Sequence, residues 1–272
     1  METGINFLGE WEANEKEIIK NLSIIRSEIK PEAIHDTRVA IKKLRAYCEL
    51  LNELDKSAKI GLPQTKSLFD ILGKHREWGT VLKQLQKAPG NLIESCSLFV
   101  THIHQAEEQI SHLIKNAAEE YDITEPAVVN KKLAAFINTL GLHKAATASK
   151  HIIMRHVAKL KTRSIHFKKE PHYTRKSLKV IFYWINLFPP ESLYAKKQVK
   201  RLEVFLDKLG KWHDMEISRL KIKNYRKDYL VKSLDEYQSL KKLEADTKSM
   251  GDKIFNRLKP MTIINELNAN RL

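Results

Sequence analysis

His35-Asp-Thr-Arg38-Val-Ala-Ile-Lys42-Lys43-Leu-Arg45 begins four residues after Pro31. At the 100° per residue of a helix, Ile34, Thr37, Ile41, Leu44, Cys48 and Leu51 form one stripe, the face of a core. His35, Arg38, Lys42 and Arg45 form a second stripe beside it, and Lys43 lies farther round. Pro31 suits the first turn of such a helix, because the N–H it lacks would have no intrahelical partner there. The spacing predicts a helix over 31–54. Like charges at these separations repel by a few tenths of a kcal/mol per pair. A bound anion would relieve that repulsion. The plain alternative is a solvated helix face.

The stretch has a counterpart. His35-Asp-Thr-Arg38-Val-Ala-Ile-Lys42 aligns with His172-Tyr-Thr-Arg175-Lys-Ser-Leu-Lys179 at an offset of 137. Leu72-Gly73-Lys74-His-Arg76-Glu77 aligns with Leu209-Gly210-Lys211-Trp-His213-Asp214 at the same offset. Two matches at one offset argue for an internal duplication. The second copy has its own core stripe in Leu178, Ile181, Ile185 and Phe188. Its basic stripe is His172, Arg175 and Lys179, with Lys176 at the edge. The preceding segment adds Arg155, Lys159, Lys161, Arg163, Lys168 and Lys169.

Elsewhere apolar residues recur at spacings of three and four, and no sustained alternation of period two occurs. This predicts an all-α protein: two antiparallel four-helix bundles related by a pseudo-twofold internal repeat. Helices are expected over 9–30, 31–54, 63–87 and 91–121, then a helix or helix pair over 126–168, then 171–188, 191–225 and 230–258. Gly61-Leu-Pro63 and Ala88-Pro-Gly90 are the breaks in the first half, and Pro171 and Pro189-Pro190 punctuate the second. The pattern stops around Asp122 to Pro126, giving units of 1–123 and 124–272. The tail after Pro260 has only a weak pattern.

The charge of the 272-residue chain is +15, and it is lopsided. Residues 1–123 hold 16 Lys+Arg against 19 Asp+Glu, net −3, and residues 124–272 hold 32 against 14, net +18. Large positive charge favours polyanionic partners. The 42% hydrophobic and 30% charged fractions are those of a folded globular protein. The acidic segment Met1 to Glu17 does not read as a secretory signal, and the longest nearly apolar run, Val180 to Phe188, is too short to span a bilayer. Cys48 and Cys96 sit in apolar helical patterns and read as reduced core residues. Together these lead to the expectation of a cytoplasmic protein that does not enter a membrane.

Catalytic arrangements are not evident. The sequence has no phosphate-binding Gly-rich loop with Lys-Ser/Thr, no Gly-x-Ser-x-Gly elbow and no His-Glu-x-x-His pair. His102 and His104 are two apart on an expected helix and point different ways, so no metal site and no cofactor are expected. Glu77 and Asp214, single acids in each repeat, are expected to orient a neighbouring Arg or His or to cap a helix.

The motif at 35–45, its copy at 172–179, and the Leu-Gly-x-x-Arg-acid and Leu-Gly-x-x-His-Asp segments at 72–77 and 209–214 resemble the CHAD family, the conserved histidine α-helical domain. The likeness spans about 30–220 and extends toward 258. It implies two four-helix bundles about a pseudo-twofold and a basic surface or pore that binds inorganic polyphosphate, in places on polyphosphate granules. A triphosphate-cleaving domain often accompanies the family, but its Glu-x-Glu-x-Lys signature is not in this sequence. The family commonly has Arg where this chain has Lys42 and Lys43, and Phe182 stands at the position matching Arg45. Lys binds phosphate as a point charge without the bidentate fork of Arg.

The resulting expectation is a non-enzymatic polyphosphate binder. Its contacts would be His35, Arg38, Lys42, Lys43, Arg45, Arg76, Arg155, Lys159, Arg163, His172, Arg175, Lys176, Lys179 and His213. Nucleic acid is the alternative partner, disfavoured as a single strand by the scarcity of aromatics along the stripes. A metal-dependent phosphohydrolase and a structural adaptor are further alternatives.

Overall fold

The structure, a computed structural model, describes residues 5–57, 59–88, 92–122 and 124–269. Pro89 and Gly90 of one expected break, Ile123 at the expected boundary, and the chain ends at 1–4 and 270–272 lie outside the described residues. Among the described residues the chain is helical, with no strand. In the first half the helices are α1 (Phe7–Ser27), α2 (Pro31–Leu54), α3 (Gln64–Lys87), the single turn α4 (Leu92–Ser95) and α5 (Ser97–Glu120). Next come α6 (Glu125–Leu140), α7 (Leu142–Arg163), α8 (Pro171–Ile185), α9 (Lys196–Tyr229), α10 (Asp235–Asn256) and α11 (Pro260–Ala269).

Local chemistry explains several of these ends. Asn6 opens α1 by accepting the Gly9 N–H at 3.2 Å. Pro31 and Pro171 are the first residues of α2 and α8. The segment 126–168 is two helices because Gly141 adopts φ +80, a conformation open to glycine and costly for other residues. Helix α9 starts five residues later than its expected start at 191 and runs unbroken through 34 residues. Pro189 and Pro190, and Glu191 at φ +65, hold the chain out of the helix before it. The tail after Pro260 differs from its weak pattern. It forms α11, whose Ile264 and Leu267 are buried.

Helices α1, α2, α3 and α5 pack in a closed ring, each on the next and α5 on α1. The second half closes differently. Helices α7, α8 and α9 pack in sequence, and α11 bridges α9 back to α7, while α10 lies mainly along α9. Adding 137 to the bounds of α1 gives 144–164, beside the observed 142–163 of α7; for α5 it gives 234–257, beside 235–256 for α10.

Both apolar clusters draw on both halves. The larger joins Trp11, Ile41 and Leu51 to Ile153, Leu178 and Leu209. The smaller joins Val81, Leu85, Phe99 and Ile103 to Ile222, Tyr225 and Leu240. Polar ties cross as well. Trp184 Nε1 donates to the Ala46 carbonyl at 2.6 Å. The Glu236 carboxylate of α10 accepts the Leu98 and Phe99 N–H groups at 3.2 and 2.8 Å. It thereby satisfies two of the free donors at the start of α5. Cys48 and Cys96 are buried free thiols, and no helix is long and apolar enough to cross a membrane among the described residues.

Candidate functional site

Helix α2 packs on α8, and α3 packs on α9. Both expected basic stripes therefore turn toward one place. A cavity of about 460 Å³ is lined by Arg38, Lys42 and Arg45 from α2, Arg76 from α3, and Arg175, Lys176 and Lys179 from α8. Its acids are Glu49, Glu77 and Asp214. A second cavity of about 250 Å³ shares Arg38, Lys42, Arg76, Arg175, Lys179 and Asp214 with the first and adds His35. A third, of about 690 Å³, shares His35, Arg76, Lys211 and Asp214 with the second. The three adjoin through these shared residues and follow the seam between α2/α3 and α8/α9.

The cations of the seam are crowded and half out of water, and both conditions penalise positive charge. Lys42 is lowered to about 7, by burial first and then by Arg38, Lys179, Arg175 and Arg76. Arg38 is lowered to about 10, again chiefly by burial, with Arg76 adding to it. Burial also lowers Arg45, Arg175 and Lys179. His213 falls to about 3 through burial and the field of Arg175, so it is a neutral ring at pH 7. Burial and Arg76 lower His35 as well.

Three buried nitrogens in this seam have no hydrogen-bond partner: Arg38 Nε, Arg175 Nε and His213 Nδ1. Buried polar atoms are normally satisfied, so unpaired nitrogens on side chains that line a basic cavity mark a region where an acceptor would be stabilising. One of the two arginines comes from each stripe.

Other members of the site are restrained by the protein itself. Arg76 donates to both Asp214 carboxylate oxygens, at 3.1 and 2.9 Å, tying α3 of one half to α9 of the other. Of the two roles expected for it, Asp214 thus takes the orienting one, and the Arg it holds comes from the other half of the chain. Glu77 instead faces Lys221 at 3.3 Å. On α2, the Arg38 Nη1 donates to the Phe69 carbonyl, and its guanidinium stands 4.0 Å over the Phe69 ring. Lys42 and Arg45 stand over the same ring at 5.5 and 4.8 Å. Arg45 Nε also donates to Thr65 Oγ1 at 3.2 Å.

The structure therefore brings His35, Arg38, Lys42, Arg45, Arg76, Arg175, Lys176, Lys179 and His213 together. It does not bring in the remaining expected residues. Arg155 and Arg163 are exposed on α7, paired with Glu53 and Glu170. Lys159 is exposed on the same helix. Helix α7 presents these cations outward because Ile152, Ile153, Val157 and Leu160 take its inner face. Lys43 lines none of the three cavities. His172 is exposed and lies 5.3 and 5.1 Å from the Trp212 and His213 rings.

Two participants escape sequence reasoning. Phe69 is one, although its spacing to Gly73, Arg76 and Thr80 marks a single face of α3. The other is Tyr183, one position past the expected counterpart of Arg45, which lines the cavity where Phe182 packs against the core. No group of three or more His, Cys, Asp or Glu able to hold a metal ion occurs among the described residues.

Comparison with solved structures finds a crystal structure of the CHAD domain from the plant Ricinus communis, with a TM-score of 0.70 and 16% identity. That match covers 99% of this chain and 93% of the other. No curated protein sequence matches. The family model of the CHAD domain matches residues 6–222, four-fifths of the chain, including the whole of α2, α3 and α8 and most of α9. The chain belongs to the CHAD domain family.

Proposed function

We propose that this protein binds inorganic polyphosphate along the seam between α2/α3 and α8/α9 and does not process it. The observation that carries the reading is the pair of orphaned, buried Nε donors of Arg38 and Arg175, one from each stripe, in a single cavity. Seven cations against three acids line that cavity. A flexible chain with a charge on every unit can neutralise them together. Charge-assisted hydrogen bonds of this kind contribute about 1.5–3 kcal/mol each where water is partly excluded. A narrow seam lined from both sides by cations suits a thin, extended polyanion better than a duplex. The proposal places the protein in the cytoplasm, at polyphosphate granules where these form.

Titration of long-chain polyphosphate against duplex DNA at equal phosphate concentration tests the reading. Polyphosphate is expected to bind at least tenfold tighter. Equal or tighter DNA binding would replace it with a nucleic-acid reading. Incubation with magnesium or manganese is expected to release no phosphate, and release would make the protein a phosphohydrolase. An Arg38→Glu, Arg175→Glu double variant that still binds its partner normally would leave the seam a structural feature.

A further inference from the structure

The cations of α2 repel one another, and something must hold them in place in the absence of a ligand. A carboxylate would do so by cancelling charge, and would then compete with any anion. The structure uses a ring. Arg38, Lys42 and Arg45 stand over Phe69 at 4.0, 5.5 and 4.8 Å. The negative face of an aromatic ring attracts a cation without removing its charge. Among the described residues no ion pair joins any of these three to a carboxylate. Asp70 and Glu77 act on Arg38 only through their fields.

Gly73 completes the arrangement. A Cβ there would lie 2.6 Å from Arg38 Nη1, so a side chain at position 73 would push the guanidinium from its place over the ring and beside the Phe69 carbonyl. The second copy lacks the device. Its counterpart of Phe69 is Leu206, and neither Arg175 nor Lys179 stands over a ring among the described residues. A Cβ at Gly210 would meet nothing within 4 Å.

We propose that Phe69 is a positioning residue: it presents Arg38, Lys42 and Arg45 as a preassembled phosphate subsite, which engages the polyanion more tightly than the Arg175/Lys179 side. This rests on the polyphosphate reading above. Preassembly removes the side-chain ordering that binding would otherwise require, and the ring, unlike a carboxylate, cancels none of the charge these side chains carry.

The test is titration of long-chain polyphosphate into the full chain carrying Phe69→Leu, Phe69→Met or Phe69→Tyr, with circular dichroism and thermal melting alongside. Leu and Met fill the space without a π face, and Tyr keeps one. Leu and Met are expected to weaken binding about tenfold, and Tyr to restore most of it. In the Leu and Met variants the slope of log affinity against log salt is expected to flatten by about 0.7–0.9 for each phosphate group no longer neutralised. A purely structural role would lower the melting temperature and leave that slope unchanged. Unchanged affinity and slope in a folded Phe69→Met protein would overturn the proposal, as would a Tyr variant no better than Leu. Failure of the unaltered protein to bind polyphosphate would instead overturn the underlying reading, so the two failures are distinguishable.

Discussion

The α2 and α8 stripes share a motif but not an environment. On α2 three cations rest on one aromatic ring, and Arg38 is anchored to the Phe69 carbonyl. On α8, Arg175 and Lys179 have no ring beneath them, and the acids acting on them are Asp214 and Asp207. On the proposed reading, the surplus of positive charge in the second half does not make its stripe the stronger one. Arg155 and Arg163 spend their charge on Glu53 and Glu170 at the exposed surface. A local cluster of net charge held out of water weighs more for binding than the summed charge of a half, because exposed charges are screened within about 8–10 Å.

The sharpest break of this comparison is a charge reversal on each side. Arg38→Glu is expected to weaken polyphosphate binding more than a hundredfold and Arg175→Glu about tenfold, measured by titration calorimetry. Equal losses would make the two stripes equivalent and remove the asymmetry.

Proton linkage gives the next effect. Lys42 lies at about 7 in the ligand-free protein, and a bound polyanion favours its charged form. Binding above pH 7 therefore takes up a proton, and affinity is expected to fall up to about fivefold from pH 7 to 8. A Lys42→Arg variant should flatten that dependence. Stability has the opposite sign. The unfolded chain keeps this amine charged up to its ordinary 10.5, so it binds the extra proton across pH 7–10.5. The ligand-free protein should gain stability as pH rises through that window, by at most about 1.4 kcal/mol per pH unit from this group. Lys42→Met should lose that rise in denaturant melts at pH 7 and 9.

A smaller difference separates the two matched glycines. Gly73→Ala must displace Arg38, and is expected to weaken binding several-fold. Gly210→Ala meets nothing, and should leave binding unchanged while adding up to about 1 kcal/mol of helix stability. Parallel titrations and thermal melts of the two variants check this. The smallest effect is expected at Asp214. Its replacement by Asn removes an acid from the seam and frees Arg76 from its bidentate pair. Polyphosphate affinity should rise about two- to threefold; a fall would show that the cross-half pair holds the seam together more than it opposes the ligand.

Much of the fold is legible in the sequence. The helix over 31–54 matches its expected bounds because Pro31 and the apolar stripe are local signals. The tail is not. Helix α11 is held by α7 and α9, packing that a ten-residue pattern cannot reveal. The same holds for the outlying cations of α7. Arg155, Lys159 and Arg163 share a basic run with His172, but the run wraps a helix whose inner face is taken by the core.

The sequence by itself determined that the chain is helical, that Arg38 and Arg175 stand at matched helical positions, and that the two motifs lie 137 residues apart. Those facts follow from the 3.6-residue period, which depends on neighbours along the chain. Only the tertiary structure decided that both stripes line one seam, that Arg76 is held by an acid of the other half, and that Phe69 carries three cations. These depend on which helix faces which. That is settled by burying the apolar stripes of both halves in shared cores, and the polar rims then meet where the packing leaves them.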